Sequence, residues 1–236
     1  MSSQPLSRIS ENIAALRERI ASAAVRSGRV VADVTLVAVV KYVDADLTRA
    51  VVEAGCFDLG ESRPQSLWAK SSAIDDPRVR WHMIGHLQRN KARRTAEIAS
   101  LIHSGDSLRL LSELNQIGRA IGRPVPTLLE VNISGDATKH GFAPDDLEPH
   151  LADFAALEHV TIRGLMAMAS LEGDADDARR EFARLRQLRD RLQVNCPPQI
   201  SLAELSMGMS DDFEQAIEAG ATIVRVGSAL FEGLDA

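Results

Sequence analysis

The sequence predicts an α/β protein, a single (β/α)8 barrel of the TIM type with one extra helix at its N-terminus. Short β-rich runs alternate with helical segments from residue 35 onward, and eight such runs can be distinguished. No Pro-rich linker, low-complexity run or abrupt charge shift divides the 236 residues, so we expect one domain over residues 1–236. Barrels of this kind typically have about 250 residues. The alternative is an open, doubly wound parallel sheet.

The first predicted element is a helix that precedes every strand. Apolar residues from Ile9 to Ile20 recur at helical spacing, Ser7 is the expected N-cap, and the helix should end near Gly28. The predicted strands then follow in order: Thr35–Val40, Phe57–Gly60, Arg80–Ile84, Ser100–Ser104, Thr127–Asn132, Thr161–Met166, Ala203–Ser206 and Thr222–Val226.

Helical patterns separate these strands. They include Asp46–Ala54, Ser107–Ile121, Asp174–Val194 and Asp211–Ala219. Two further segments, Glu53–Gly60 and Glu218–Gly227, share one order of features: helix end, glycine, short strand, glycine. This internal similarity indicates repeated αβ units, which favours the barrel.

The composition excludes several classes of function. Lys and Arg total 27 against 33 Asp and Glu, and a net charge of −6 does not favour binding to nucleic acid. No apolar stretch approaches the roughly 18 residues that cross a bilayer, and the N-terminus lacks a secretory signal. Cys56 and Cys196 match no disulfide or zinc spacing. We expect a cytoplasmic protein that binds neither nucleic acid nor membrane.

Lys41 is the first candidate for chemistry. It ends the apolar run Thr35–Val40, and it is one of only four lysines in a chain that otherwise uses arginine. The C-terminal ends of barrel strands form the catalytic face. An amine there is partly desolvated, which lowers its pKa and makes it a good nucleophile toward a carbonyl. The structural alternative is a lysine that extends from the strand end to water.

Two turns near the C-terminus have the composition of a phosphate site. Ser210 lies in the turn after the seventh strand, and Gly227 and Ser228 follow the eighth. Loops at these places in barrels often bind phosphate through backbone N–H groups, small hydroxyls and a helix N-terminus. The alternative is a pair of ordinary turns in which Asp211 and Asp212 cap the next helix.

Arg225 lies inside the last predicted strand. A buried arginine needs a partner, so it pairs either with a carboxylate such as Glu130 or with an acceptor on a bound ligand.

His82 and His86 suggest a metal site by their proximity, but no third ligand has suitable spacing. We therefore expect no metal.

Several motifs occur in order between about residues 30 and 231. They are Ala38–Lys41, Gly60–Gln65, Trp81–Lys91, Asn132–Ser134 with Lys139 and Gly141, Arg163–Met166, Leu205–Asp212 and Val224–Ser228. Together they resemble the successive motifs of the pyridoxal phosphate homeostasis protein family, which has a barrel like that of the N-terminal domain of alanine racemase. The match has no large gap.

The resemblance implies a cofactor site. Lys41 would hold pyridoxal 5′-phosphate as an internal aldimine, a Schiff base. Ser210, Gly227 and Ser228 would hold the phosphate, and Arg225 would face the pyridine nitrogen.

Two positions depart from the family pattern, and a third matches it without an assigned role. Ser62 stands where the family has an asparagine after Gly-Glu, so the contact of that asparagine is not expected. Asp136 stands where the loop usually carries Glu. Lys139 matches a family lysine, but no role is assigned to it, and we expect a solvated loop lysine.

The function implied by the resemblance is a pyridoxal phosphate carrier in vitamin B6 homeostasis, with apo-enzymes as recipients and no catalytic residues. A cation opposite the pyridine nitrogen disfavours protonation of that nitrogen, so the ring becomes a poor electron sink for carbanions. No long apolar stripe requires a partner, and we expect a monomer.

Two rival functions have distinct requirements. A pyridoxal phosphate-dependent amino-acid racemase with weak activity needs a second base, which racemases of this type take as a tyrosine from a C-terminal β-domain. This chain ends about ten residues after its last predicted strand, and its one tyrosine is Tyr42. Strand alternation would point Tyr42 away from Lys41 if the strand continued. A cofactor-free Schiff-base lyase needs Lys41 but not the phosphate site.

Overall fold

Eight parallel strands form the centre of the molecule. The computed structural model describes residues 3–136, 138–170 and 173–234. The strands are β1 (Thr35–Val39), β2 (Asp58–Glu61), β3 (Arg80–Met83), β4 (Leu101–Gly105), β5 (Val125–Glu130), β6 (Val160–Met166), β7 (Glu204–Ser206) and β8 (Ile223–Val226). They pair in chain order, and β8 pairs with β1 to close the barrel. This closure confirms the predicted (β/α)8 barrel and excludes the open sheet.

Helices surround the strands. They are α1 (Ser3–Arg26), α2 (Ala45–Glu53), α3 (Pro64–Ala73), α4 (Arg89–Ile98), α5 (Leu108–Ile121), α6 (Leu151–Ala155), α7 (Ala175–Val194) and α8 (Phe213–Ala219). The extra helix α1 packs against both α8 and α2. Arg19 Nε lies 2.7 Å from Glu214 Oε1 and Arg26 Nε lies 2.8 Å from Glu218 Oε1. The first helix therefore covers the seam where the two ends of the barrel meet.

The apolar core has two parts, because side chains of a strand alternate between the barrel interior and the helix layer. The larger part lies between strands and helices, where Ala38 and Leu59 are fully buried. A separate cluster comprises Val37, Leu101, Leu128, Met166 and Ile223. Its members come from five strands, so this second part fills the interior.

Most boundaries of the strands and helices agree with those predicted from the sequence. Each predicted strand lies within two residues of the observed one. The N-cap predicted at Ser7 is wrong. The helix begins at Ser3, so Ser7 already lies within it, and its hydroxyl bonds Glu11 Oε1 at 3.3 Å. In the described part of the chain, no helix is both long and apolar enough to span a membrane.

Candidate functional site

A cavity of about 510 Å³ opens at the carboxyl ends of the strands. We call it the mouth cavity. All five residues that the sequence assigns to a cofactor site line it: Lys41, Ser210, Arg225, Gly227 and Ser228. They come from β8 and from the segments after β1, β7 and β8, which are neighbours because the barrel closes. Closure thus gathers an amine, two hydroxyls and a guanidinium around one space.

Lys41 follows the end of β1 by two residues and is half-buried. Its Nζ lies 4.8 Å from the centroid of the Tyr42 ring, within the range of a cation–π interaction. Tyr42 is expected to point away from Lys41 only if the strand continues, and that condition is not met. The strand ends at Val39 and the chain turns, so both side chains line the mouth cavity.

A buried ion pair supports the backbone next to Lys41. Lys70 Nζ, on α3, donates to Glu61 Oε2 at 2.8 Å and also to the carbonyl of Val40. Glu61 is fully buried at the end of β2. Sequence reasoning missed this pair, although the scarcity of lysine that drew attention to Lys41 applies equally to Lys70.

The two turns of the predicted phosphate site are bonded to each other. The Gly227 N–H donates to Ser210 Oγ at 3.2 Å. The turn after β7 approaches α8 so closely that only glycine fits at position 208. Its φ is +92°, and a Cβ there would lie 2.6 Å from the Cβ of Ala216. The Gly208 carbonyl accepts the Arg225 N–H at 3.0 Å, which joins this turn to β8.

Asp212 shapes the same turn instead of capping α8. Its carboxylate accepts the Met209 N–H at 2.5 Å, and it makes no capping bond to the helix. Burial raises the pKa of Asp212 above its ordinary value. The reading of Asp212 as a simple helix cap is therefore wrong, because its side chain turns back to hold the loop that carries Ser210.

Arg225 lies within the barrel and is 4% exposed. Its Nη1 donates to Ser206 O at 2.8 Å and to Ser206 Oγ at 2.5 Å, and its Nη2 donates to Ala167 O at 3.0 Å. Burial lowers its pKa to about 10, with the charges of Asp212 and Glu130 opposing the shift. Arg225 therefore stays cationic at neutral pH. The carboxylate Glu130 acts on it through charge and not as a hydrogen-bonded partner.

Glu130 ends β5, lines the mouth cavity and is 5% exposed. Burial raises its pKa to about 7, the charge of Asp106 adds to the rise, and the charge of Arg225 opposes it. A carboxyl group on the cavity wall that titrates near neutrality can hold or release a proton under physiological conditions.

His82 and His86 lie in different surroundings. His82 is buried inside the barrel, where its ring nitrogens contact Asp58 and His103. His86 lines the mouth cavity, and its Nδ1 lies 2.8 Å from Asp106 Oδ2. The two histidines therefore share no site.

One group among the described residues has atoms placed as metal ligands could be: His86, Asp106 and His140, within 4.8 Å of one another. The rings of His86 and His140 are stacked, with centroids 4.1 Å apart and planes at 15°. Imidazole binds a metal through a lone pair in its own plane, so two stacked, nearly parallel rings cannot both reach one ion. As arranged, His86 and Asp106 form a hydrogen-bonded acid–base pair, and the lack of a metal site stays a prediction.

Lys139 is not the solvated loop lysine that the sequence suggested. It is half-buried, and its Nζ donates to Ala169 O at 3.0 Å, which ties the loop after β5 to the segment after β6. Asp136 is exposed and accepts the Thr138 N–H at 2.9 Å within the same loop. Ser62, at the position of the family asparagine, lines the mouth cavity.

Comparison with known proteins first defines the class. A family model described as the N-terminal domain of alanine racemase matches residues 6–235. Alanine racemase of Clostridium difficile shares the fold with a TM-score of 0.71 at 13% identity, covering 86% of this chain and 56% of that one. The chain is thus a barrel of the alanine racemase N-terminal type.

Full-length relatives narrow this class. A Pseudomonas aeruginosa protein named pyridoxal phosphate homeostasis protein is 42% identical, covering 98% of this chain and 97% of that one. An Escherichia coli K12 protein of the same name is 36% identical, with 96% and 97% covered. PipY of Synechococcus elongatus, solved with PLP bound, has a TM-score of 0.84 at 37% identity, with 94% and 99% covered. The chain belongs to the pyridoxal phosphate homeostasis protein family, as its motifs predicted.

Replacing Lys70 with methionine should destabilise the protein strongly. The substitution Lys70→Met leaves the buried Glu61 charge without its partner, which typically costs about 3–5 kcal/mol. Urea unfolding followed by circular dichroism measures the change. The matched control Lys91→Met removes a half-buried lysine of α4 and should change the free energy of unfolding far less. Equal effects of the two substitutions would show that the ion pair has no special role.

The raised pKa of Glu130 predicts a pH dependence of stability. Between its ordinary value of 4.5 and about 7, the folded protein keeps a proton that the unfolded chain has lost. The contribution of Glu130 to the free energy of unfolding is therefore fully present below about pH 4.5 and is lost as the pH rises through about 7. Since glutamine cannot ionise, Glu130→Gln should be more stable than the wild type at pH 8, by on the order of 3 kcal/mol.

Urea unfolding at several pH values between 5 and 8 tests this expectation. The control Glu158→Gln changes an exposed glutamate and should follow the wild-type pH profile. If Glu130→Gln also ran parallel to the wild type, the carboxyl would not titrate near neutrality.

Proposed function

We propose that this protein binds pyridoxal 5′-phosphate in the mouth cavity and holds it for delivery to apo-enzymes, without turning over amino acids. One observation carries the proposal: a lysine, a pair of small-residue turns and a buried arginine meet around a single cavity. The names of the relatives and the PLP-bound structure of PipY support the choice of ligand.

The turns after β7 and β8 suit a phosphate group. Ser210 Oγ accepts the Gly227 N–H, so its own hydroxyl hydrogen remains to donate to a phosphate oxygen. Ser228 begins a short 3-10 turn, and the first N–H groups of such a turn have no acceptor within it. Ser210 and Ser228 would therefore hold the phosphate with their two hydroxyls and with the backbone N–H groups of the 3-10 turn, while the Gly227 N–H fixes the Ser210 hydroxyl.

Lys41 suits the aldehyde. Pyridoxal 5′-phosphate supplies an aldehyde that reacts reversibly with a primary amine, which stores the molecule without consuming it. Lys139 also lines the mouth cavity, but its Nζ donates to the Ala169 carbonyl. Lys41 makes no such bond to a carbonyl among the described residues, and the contact of Lys70 with Val40 fixes the backbone beside it.

Arg225 would keep the bound ring from acting as a strong electron sink. A permanent cation next to the pyridine nitrogen disfavours protonation of that nitrogen, and the unprotonated ring stabilises carbanions poorly. This is the physical reason to propose a carrier.

A weak racemase activity is the second candidate, and the pair His86–Asp106 is the observation that favours it. A histidine hydrogen-bonded to a carboxylate on a cavity wall can act as a general base. Tyr42 suits that role less well, because its ring contacts Lys41 instead of standing apart from it.

The proposed setting follows from the carrier function. The partners are pyridoxal phosphate and the apo-enzymes that receive it, in the cytoplasm. We propose a monomer, since only six large apolar side chains are exposed among the described residues: Val25, Val30, Val31, Tyr42, Met168 and Val194.

The covalent role of Lys41 can be tested by trapping. Borohydride reduction of the protein with bound pyridoxal phosphate should fix the ligand to Lys41, and Lys41→Ala should lose the adduct and the near-visible absorption band. Peptide mass spectrometry locates the modified residue. The control Lys91→Ala should retain both signals. An adduct on Lys139, with Lys41 unmodified, would contradict the assignment.

The phosphate site can be tested with two ligands. Ser210→Ala and Ser228→Ala should each weaken binding of pyridoxal phosphate by about 1 kcal/mol, the usual contribution of one hydrogen bond. Binding of pyridoxal, which lacks the phosphate, should hardly change. Fluorescence titration gives both affinities, and Ser112→Ala, on the exposed side of α5, is the control. Equal losses for the two ligands would mean that the serines act through the fold.

A further inference from the structure

A chain of hydrogen-bonded polar side chains crosses the barrel interior. Its distances are 2.5 Å from Arg225 Nη1 to Ser206 Oγ, 2.9 Å from Ser206 Oγ to His103 Nδ1, 2.9 Å from His103 Nε2 to His82 Nδ1, and 3.0 Å from His82 Nε2 to Asp58 Oδ1. All five residues are at most 8% exposed. We call this series the buried relay.

The direction of every hydrogen bond in the buried relay is fixed from the arginine end. A guanidinium only donates, so Ser206 Oγ accepts from Arg225. Among the described residues, the fully buried Ser206 hydroxyl contacts only Arg225 and His103, so its own hydrogen is satisfied only by donation to His103 Nδ1. His103 then carries its proton on Nε2 and donates to His82 Nδ1. His82 in turn carries its proton on Nε2 and donates to Asp58.

The other end of the buried relay requires the same direction. Asp58 also accepts from Arg80 Nε at 2.6 Å and from Arg80 Nη2. Burial alone would raise the pKa of Asp58, but the bonds from His82 and Arg80 lower it to about 2. Asp58 is therefore an ionised group that only accepts.

His103, in the middle of the buried relay, stays uncharged. Burial, together with the nearby His82 and the charge of Arg225, lowers the pKa of His103 well below its ordinary value. A neutral His103 has one donor and one acceptor nitrogen, which is what the two bonded neighbours need. The relay thus has a single arrangement of protons, with a cation at one end and an anion at the other.

Burying such a series of polar side chains costs free energy. The rest of the barrel interior is apolar and includes the cluster of Val37, Leu101 and Leu128. We infer that His103 and His82 are positioning residues: through Ser206 they hold the guanidinium of Arg225 in one orientation, with its remaining N–H groups available to a ring nitrogen acceptor in the mouth cavity. The inference rests on the proposed function, because it takes the pyridine ring as the ligand.

Ser206→Ala tests the inference directly. It removes the oxygen that accepts from Arg225 and donates to His103. The probes are pyridoxal 5′-phosphate and its 1-deaza analogue, in which carbon replaces the ring nitrogen. We expect the affinity for pyridoxal phosphate to fall roughly tenfold, as for a weakened hydrogen bond to a charged group, and the affinity for the deaza analogue to change little.

Ser104→Ala is a matched control. Ser104 is also fully buried, follows His103 on β4, and its hydroxyl has no hydrogen-bond partner in the described structure. Its removal should leave the ratio of the two affinities at the wild-type value. If Ser206→Ala lost the same affinity for both ligands while the wild type bound them normally, the positioning role would be overturned. The proposed function would remain intact.

A second measurement uses the protein without ligand. Long-range proton–nitrogen NMR correlations should show His103 and His82 as Nε2–H tautomers, and His103 should stay uncharged at pH values near its ordinary pKa. An Nδ1–H tautomer at either residue, or titration of His103, would overturn the relay. If the wild type bound neither probe, both the proposed function and the positioning of Arg225 toward the pyridine nitrogen would be contradicted. The NMR result would still decide the arrangement of protons in the buried relay.

Discussion

The pairing of β1 with β8 is the constraint on which the site depends. In this pairing Val37 lies opposite Arg225, and Ala38 lies opposite Val226. Lys41 and Ser228 therefore reach the same edge of the barrel, although they lie near opposite ends of the sequence. Without closure, the Lys41 amine and the turns that carry Ser210 and Ser228 would lie at opposite edges of an open sheet. The packing of α1 over α8 and α2 covers this seam from outside.

Two buried polar systems each support one group that lines the mouth cavity. The pair Lys70–Glu61 supports the segment that carries Lys41, and the buried relay supports Arg225. Both systems need complete hydrogen bonding, because an unpaired charge or donor in the interior costs several kcal/mol. Burying these groups is favourable for function when the fixed positions of the Lys41 amine and the Arg225 guanidinium matter more than a maximal free energy of unfolding.

The sequence predicted the barrel, the strand positions and all five residues of the candidate site, because these depend on local signals. Apolar runs end in polar turns, and Lys41, Ser210 and Ser228 occupy such turns. The orientation of Tyr42 and the bond from Lys139 to Ala169 depend on how loops fold after the strands end, which alternation does not describe. The buried relay joins β2, β3, β4, β7 and β8, so only the closed barrel brings its members together.

We propose that the bound cofactor is stored and not used, and exchange at the α-carbon of alanine tests this most directly. The exchange needs only one base, so it detects activity that a racemization assay would miss. Protein with bound pyridoxal phosphate, incubated with L- or D-alanine in deuterium oxide and followed by proton NMR, should show no more exchange than free pyridoxal phosphate at the same concentration. Exchange at about 1 s⁻¹ or faster, within the range of ordinary enzymes, would contradict the carrier function and favour a racemase.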